Sequence, residues 1–365
     1  MRRIALVTGG AGLLGSWLIR SLLTRGYQQI YVLARRDSRQ SAGARVYAAL
    51  RSHTNGTIMQ QATKSVEVVS GDLSLPGFGL SPRVIAKMLS RTTDIFHAAA
   101  VADFRVPLEK IRLSNVKGTQ HMLELARQRT QGGNVPLRVH HISTGAVAGT
   151  MEGWFDEDQF DCGQHFHNSY EQTKFEAEQL VREYREQNVN VHIYRPGIIT
   201  GDSRYGMTTN FKMMYQPLHF IALGLFRELP GNAQSLHSLV PVDKVAEAIC
   251  LLAGASRGVN STWHIVSSYE VDLGEFIDTA SQVFRCLRPK LIPLEHFPRR
   301  RLSQLQWSLV EPFVPYLNYR VRFKADRTND VLRSFGFLWP RMDRAMLTKL
   351  FQYCIRCGYI RLRPQ

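Results

Sequence analysis

The sequence predicts an α/β fold: a doubly wound parallel sheet followed by a smaller, mainly helical region. Three observations carry that expectation. An N-terminal strand runs straight into a glycine-rich turn, short apolar runs then alternate with segments of helical period, and the pattern changes character towards the C-terminus. With 365 residues, 44% of them hydrophobic, the chain has enough apolar surface to bury a core without disulfides or metal.

Residues 4–8 (IALVT) read as the first strand, LLGSWLIRSLLTRG as the helix after the glycine turn, and QIYVLA as the second strand. A βαβ unit of this kind makes the pairing parallel. Further strands are expected at 66–69 (VEVV), 94–97 (DIFH), 137–142 (LRVHHI) and 189–194 (VNVHIY). Segments 111–129 and 169–187 carry amphipathic helical patterns and should cover the sheet. After Pro196 the pattern weakens, and 200–235 reads as loops and short helices on the substrate side. A helix resumes over 240–254, and TWHIVS at 262–267 is a late strand. The expected division is therefore a catalytic region, 1–267, and a small basic, mainly helical region, 268–365.

Charge bears on partners and not on fold. Lys and Arg total 46 against 30 Asp and Glu, a net +16, which favours anionic partners. Residues 265–365 hold 17 basic and 9 acidic side chains, so half of the excess lies there, with RRR at 299–301 and a scatter of aromatics from Trp307 to Trp339. No ribonucleoprotein strand motif, zinc finger or basic zipper accompanies the charge, so nucleic acid is not the expected partner. Five irregularly spaced cysteines argue against a secreted disulfide framework and for a reducing, cytoplasmic setting. Arg2 and Arg3 lead directly into IALV, without room for the apolar core of a signal peptide. Runs such as FIALGLF at 220–226 fall short of the roughly 20 residues that span a bilayer, so no transmembrane segment is expected, while peripheral contact stays open. Cys354 and Cys357 form a CxxC without a second close pair, and the histidines, His140, His141, His165 and His167 among them, lack metal-site spacing, so no metal is expected.

The strongest local signal is TGGAGLLG at 8–15. Glycines between a strand and a helix permit a tight turn, close approach of backbone to a pyrophosphate, and packing of helix on strand, while the helix N-terminus favours negative charge. In this Rossmann-type arrangement Thr8, Gly9, Gly12, Leu13, Leu14 and Gly15 are the residues expected against a dinucleotide. The second strand ends in LARRD, placing Arg35 and Arg36 where an acidic side chain would favour NAD. Guanidiniums there suit a 2′-phosphate, so the expected cofactor is NADPH/NADP. Asp72 and Leu73 of SGDL, and Ala98, Ala99 and Ala100 of HAAA, follow later strands and are expected to line the two halves of the cleft.

A second constellation is Ser143 and Thr144 in HHISTGAV, followed by Tyr170 and Lys174 in YEQTK. Residues four apart share a helix face. An ammonium beside a phenol lowers the phenol's pKa and suits it to move the proton that accompanies hydride transfer, while Thr144 orients the substrate oxygen. Together these residues resemble the extended short-chain dehydrogenase/reductases, in which the Ser/Thr, Tyr and Lys are catalytic. The resemblance gives Asn115 the role of propping the lysine through water. GDLSLPGFGLS at 71–81, HAAAVADF at 97–104, NVKGT at 115–119, YRPGIITGDSRYG at 194–206 and LVPVDKVAEAI at 239–249 are similar to motifs of the thioester reductase and fatty acyl-CoA reductase branch, although TGGAG replaces that branch's commoner TGATG. By this resemblance Pro196, Gly197 and Ile199 also meet the cofactor.

The resemblance implies NADPH-dependent reduction of an acyl thioester, carried on coenzyme A or an acidic carrier protein, to an aldehyde or onward to an alcohol, by a monomer or homodimer. No acylated cysteine is needed, so Cys162 should be dispensable. The alternatives from sequence are an extended-family enzyme acting on a ketone, alcohol, sterol or nucleotide sugar, and a non-catalytic nucleotide- or nucleic-acid-binding scaffold. The greasy stretch FKMMYQPLHFIALGLF at 211–226 leans towards an acyl or ring substrate.

Overall fold

A computed structural model describes residues 2–132, 136–255 and 260–362. Its centre is a seven-stranded sheet in which every pairing is parallel. Numbering only the strands of this sheet, β1 is Ile4–Thr8, β2 Gln29–Ala34, β3 Val66–Ser70, β4 Asp94–His97, β5 Arg138–Ile142, β6 Val191–Pro196 and β7 Thr262–Ile265. The spatial order is β7-β6-β5-β4-β1-β2-β3. The winding reverses between β1 and β4, and the crevice beyond their C-terminal ends is where such sheets bind ligands.

Helices cover both faces, which is why the strands read as continuous apolar runs instead of alternating ones. On one face Leu18, Ile19 and Leu22 of helix Leu13–Thr24 pack with Val245, Ile249 and Leu252 of helix Val242–Ala255. On the other, Met122, Leu123 and Ala126 of helix Gly118–Gly132 and Val181 of helix Ser169–Glu186 meet Leu6, Ile95, Val139 and Ile193. The segment expected as one helix over 111–129 begins earlier, at Leu108–Arg112, and passes through a π-helical turn, Leu113–Lys117, before Gly118–Gly132.

The weakly patterned stretch after Pro196 forms helix Tyr215–Ala222 and a short strand, Glu228–Pro230. Its core is shared with later sequence: Leu218, Ile221 and Phe226 pack with Phe276, Ile277 and Phe284 of helix Leu273–Phe284 and with Leu347, Leu350 and Phe351 of helix Arg344–Arg356. Neither stretch is periodic enough alone to announce this shared core. Residues beyond 267 also return to the sheet region, where Val321–Phe323 pairs with Gly153–Phe155 and Leu332, Phe337 and Trp339 join the first core. Among the described residues, no helix is long and apolar enough to cross a membrane.

Candidate active site

The glycine turn sits at the switch point and is tightly built. Gly9 has φ +74°, and a Cβ there would lie 2.7 Å from the Ala99 amide nitrogen. A Cβ on Gly15 would lie 2.7 Å from the Gly9 carbonyl carbon, so the helix can approach the strand only without side chains at these positions. Gly12 is the N-cap of helix Leu13–Thr24 and offers no capping side chain, nor is there an acidic residue in the first turn. The first-turn amides therefore remain open to an anion, and the turn fits a dinucleotide's phosphates.

Thr8 lies beneath this turn, fully buried. Its hydroxyl accepts from Ala99 N at 3.3 Å and donates to His97 Nδ1 at 2.8 Å; His97 Nε2 donates to Thr119 Oγ1 at 3.1 Å, and Thr119 donates to Asn115 O at 2.7 Å. That direction follows from Thr119, whose single hydroxyl proton goes to Asn115 O, so that it accepts from His97 Nε2 and leaves Nδ1 to accept from Thr8; burial keeps His97 neutral, its pKa drawn down to about 3. Thr8 thus joins β1 to β4 and does not line the cleft.

At the end of β2 the cleft is lined by Arg35, Arg45, Asp72, Leu73, Ser74 and Ala99. Arg35 lies 3.7 Å from Asp72, and Arg45 donates to Arg35 O at 2.7 Å while pairing with Asp37 at 3.3 Å. Burial would raise Asp72, but hydrogen bonds from Ser74 and the Arg35 charge hold its carboxyl below the usual range. Arg36 is exposed and does not line this cleft. Arg45 takes the second place instead; it comes from helix Ala42–Arg51, where no motif marked it.

The adjoining cleft brings together Gly9, Gly12, Leu13, Leu14 and Gly15 with Ala98, Ala100, Thr144, Tyr170, Lys174, Pro196, Gly197 and Ile199. Thr144 stands just beyond β5, and Tyr170 opens helix Ser169–Glu186, whose N-cap Asn168 accepts from Glu171 N. Lys174 Nζ donates to Ile142 O at 2.8 Å, and burial draws its pKa to about 8 against an opposing pull from Glu178. The Tyr170 phenol moves the other way from the expectation: burial raises it, the hydrogen bond with Thr144 opposes, and Glu171 adds to the rise. Burial thus favours the protonated phenol, which has a proton to give but holds it more tightly than a tyrosine in water. Asn115 makes direct contacts, with Oδ1 accepting from Val101 N at 2.8 Å and Nδ2 donating to Val101 O and Thr173 Oγ1 at 3.1 Å. It ties the π-helical turn to the residue preceding Lys174.

Below these groups lies a buried ionic network. Ser143 Oγ donates to Glu178 Oε2 at 2.6 Å, and Arg195 Nη2 meets Glu178 Oε1 at 2.6 Å with both side chains fully buried. Arg195 Nη1 donates to His264 Nε2 at 3.1 Å, and His264 Nδ1 donates to Lys324 O at 2.8 Å. One network thus spans the residue after β5, helix Ser169–Glu186, β6, β7 and the C-terminal region.

Of the cleft wall, Asn210, Lys212 and Met213 fall in the 200–235 stretch expected on the substrate side, while sequence reasoning missed His237 and Ser238 and, beyond 267, Tyr316, Tyr319 and Phe323. Phe104 stacks on Tyr316 at 5.1 Å and lies 6.2 Å from Tyr170 between ring centroids. Tyr316 donates to the Glu171 carboxylate and accepts from Asn168 Nδ2 at 2.7 Å, which locks it to the start of helix Ser169–Glu186. An almost wholly apolar chamber opens from this cleft, sharing Ile198, Met213, His237 and Tyr316 with it and lined beyond by residues such as Phe220, Phe226, Leu229 and Phe276. The greasy 211–226 stretch was the only sequence signal for it. Among the described residues, no cysteine lines either cavity.

A family model described as male sterility protein matches residues 7–249. The chain is 28% identical over 98% of its length to a linear gramicidin synthase subunit of Brevibacillus parabrevis, and 29% identical over 68% of its length to the fatty acyl-CoA reductase wat of Drosophila melanogaster. It spans only 7% of the first of these proteins and 53% of the second. Among solved structures, the terminal R domain from the myxalamid PKS-NRPS biosynthetic pathway superposes with a TM-score of 0.83 at 25% identity, covering 100% of this chain and 93% of that one.

Proposed function

The chain belongs to the male sterility protein family of extended short-chain dehydrogenase/reductases, and from that membership we propose that it is an NADPH-dependent reductase of acyl thioesters. The observation that carries this reading is the convergence of Thr144, Tyr170 and Lys174 in one cleft, between the glycine turn and an apolar chamber. We take 1–267 as the catalytic region, with 200–235 and 268–365 supplying substrate-side walls.

NADPH, when bound, supplies the hydride. The glycine turn and the first-turn amides of helix Leu13–Thr24 would hold its phosphates, and Arg35 with Arg45 would hold the 2′-phosphate. As the thioester carbonyl carbon gains hydride, its oxygen gains negative charge. Thr144 and Tyr170 hydrogen-bond that oxygen, and Tyr170 transfers its phenolic proton to it, giving a hemithioacetal. Collapse re-forms the carbonyl as aldehyde, breaks the C–S bond and passes the proton to the departing thiol. The chamber shelters the acyl chain from water. With a second NADPH and Tyr170 reprotonated from solvent, the same groups would carry the aldehyde to the alcohol.

Product analysis tests this. The purified protein with NADPH and an acyl-CoA or acyl-carrier thioester is expected to release free thiol together with aldehyde or alcohol. Reduction of simple ketones with no thioester turnover would overturn it.

The cofactor preference has its own test. A charge-assisted hydrogen bond is worth about 1.5–3 kcal/mol. The double substitution Arg35→Ser, Arg45→Ser removes at least one such bond from each side chain and should therefore raise KM for NADPH by on the order of 10²–10⁴-fold and leave that for NADH nearly unchanged. An unaltered NADPH/NADH ratio would contradict this assignment.

Arg299 and Arg300 suit docking of an acidic carrier protein. Both are exposed, Arg299 lies 4.1 Å over the Trp307 ring, and Leu305 nearby is 71% exposed, whereas Arg301 is paired with Glu228. Arg299→Glu with Arg300→Glu is expected to cut turnover of carrier-bound thioester at low salt several-fold while sparing free-aldehyde reduction, since steering by surface charge acts mainly on association. Equal loss of both activities would refute docking at this surface.

A further inference from the structure

His237 occupies the junction between the catalytic cleft and the apolar chamber, on the short strand Leu236–His237 that pairs with Val271–Asp272. Its ring stacks on Tyr319, 5.9 Å between centroids and 15° from parallel. Nε2 is buried and has no hydrogen-bond partner among the described residues. Other buried polar side-chain atoms lack partners too, such as those of His141, His192 and Trp263, but none of those residues lines the cleft or the chamber.

The other polar group at this junction is already engaged, for the Tyr316 hydroxyl is bound to Glu171 and Asn168. Ile198 and Met213 offer only apolar surface. Burial keeps the imidazole neutral, with its pKa drawn down to about 4, so it carries one donor and one acceptor. A buried polar atom left unsatisfied is costly, so a ligand that pairs with it is favoured over one that does not.

Building on the thioester reductase reading, we propose that His237 is a specificity-determining residue that hydrogen-bonds a polar substituent of the acyl group, an amide or hydroxyl lying between the reacting carbonyl and the apolar tail. The preferred substrate is then polar next to the thioester and apolar farther out. A plain alkanoyl chain fills the chamber but leaves the imidazole unpaired, and a site built to hydrogen-bond its substrate discriminates strongly against the analogue lacking that group.

The test compares two pantetheine thioesters, N-acetylphenylalanyl and 3-phenylpropanoyl, which differ only in the acetamido group. The wild-type protein should favour the amide-bearing thioester at least tenfold in kcat/KM. His237→Phe keeps an aromatic ring against Tyr319 and removes the hydrogen bond; its ratio should fall to near one, while His237→Asn should restore part of the preference. An unchanged ratio in His237→Phe, or equal loss of both substrates, would overturn the proposal. If the wild-type protein reduced neither thioester, the reductase reading itself would fail instead.

Discussion

Replacing Tyr170 by phenylalanine should lower thioester reduction by on the order of 10²–10⁴, the usual contribution of a positioned general acid, and leave NADPH binding in place. The ring keeps its contact with Phe104, and the glycine turn is untouched. What disappears is a hydroxyl hydrogen-bonded to Thr144, whose protonated form burial favours. Stopped-flow oxidation of NADPH beside a fluorescence titration of the cofactor separates the two quantities. Full activity in Tyr170→Phe would remove the mechanism. The pH profile offers a second reading. Lys174, drawn down to about 8, carries its charge below that pH and loses it above. That charge favours the phenolate left after proton donation, so kcat should fall as pH rises through about 8, and a rise there would contradict the role given to Lys174.

Glu178→Ala is expected to destabilise the fold by about 3–5 kcal/mol, because it strands the Arg195 guanidinium in an environment where both partners are fully buried. It also frees the Ser143 hydroxyl beside Thr144 and removes the partner of Arg182, so activity should fall along with stability. A double substitution, Glu178→Leu with Arg195→Leu, removes both charges and should recover much of the loss. Urea unfolding measures each, and a loss under about 1 kcal/mol in the single variant would show that the ion pair is not a keystone. Burial alone would raise this carboxyl, yet Arg195, Arg182 and Ser143 hold it down to about 2, against an ordinary value of 4.5. Its folded pKa lies below its unfolded one, so the stabilisation is complete above about pH 4.5 and is lost as pH falls towards 2.

The parts of this molecule written in local sequence were legible. A parallel sheet covered on both faces produces unbroken apolar runs, and β1, β2, β4 and β5 could be placed within a residue or so from them. The glycine turn is dictated by backbone contacts that no side chain survives, and Tyr170 and Lys174 announce themselves by helical spacing. Groups assembled by tertiary folding were not legible. Tyr316 meets Glu171 across 145 residues of chain, Arg45 reaches the Arg35 carbonyl from a helix with no motif, and His237 sits in a two-residue strand. Electrostatic direction was hidden as well: a lysine four residues from a tyrosine predicts a lowered phenol, whereas burial reverses the direction for Tyr170 and favours its protonated form.

Direct hydride transfer to the thioester carbonyl can be followed in a single turnover of an acyl thioester with NADPH deuterated at its hydride position. The expected products are an aldehyde bearing that deuterium on its carbonyl carbon and free thiol in equal amount, with no acyl group on the denatured protein. An aldehyde without the label, or an acyl group retained on Cys162 or any other side chain, would contradict the mechanism.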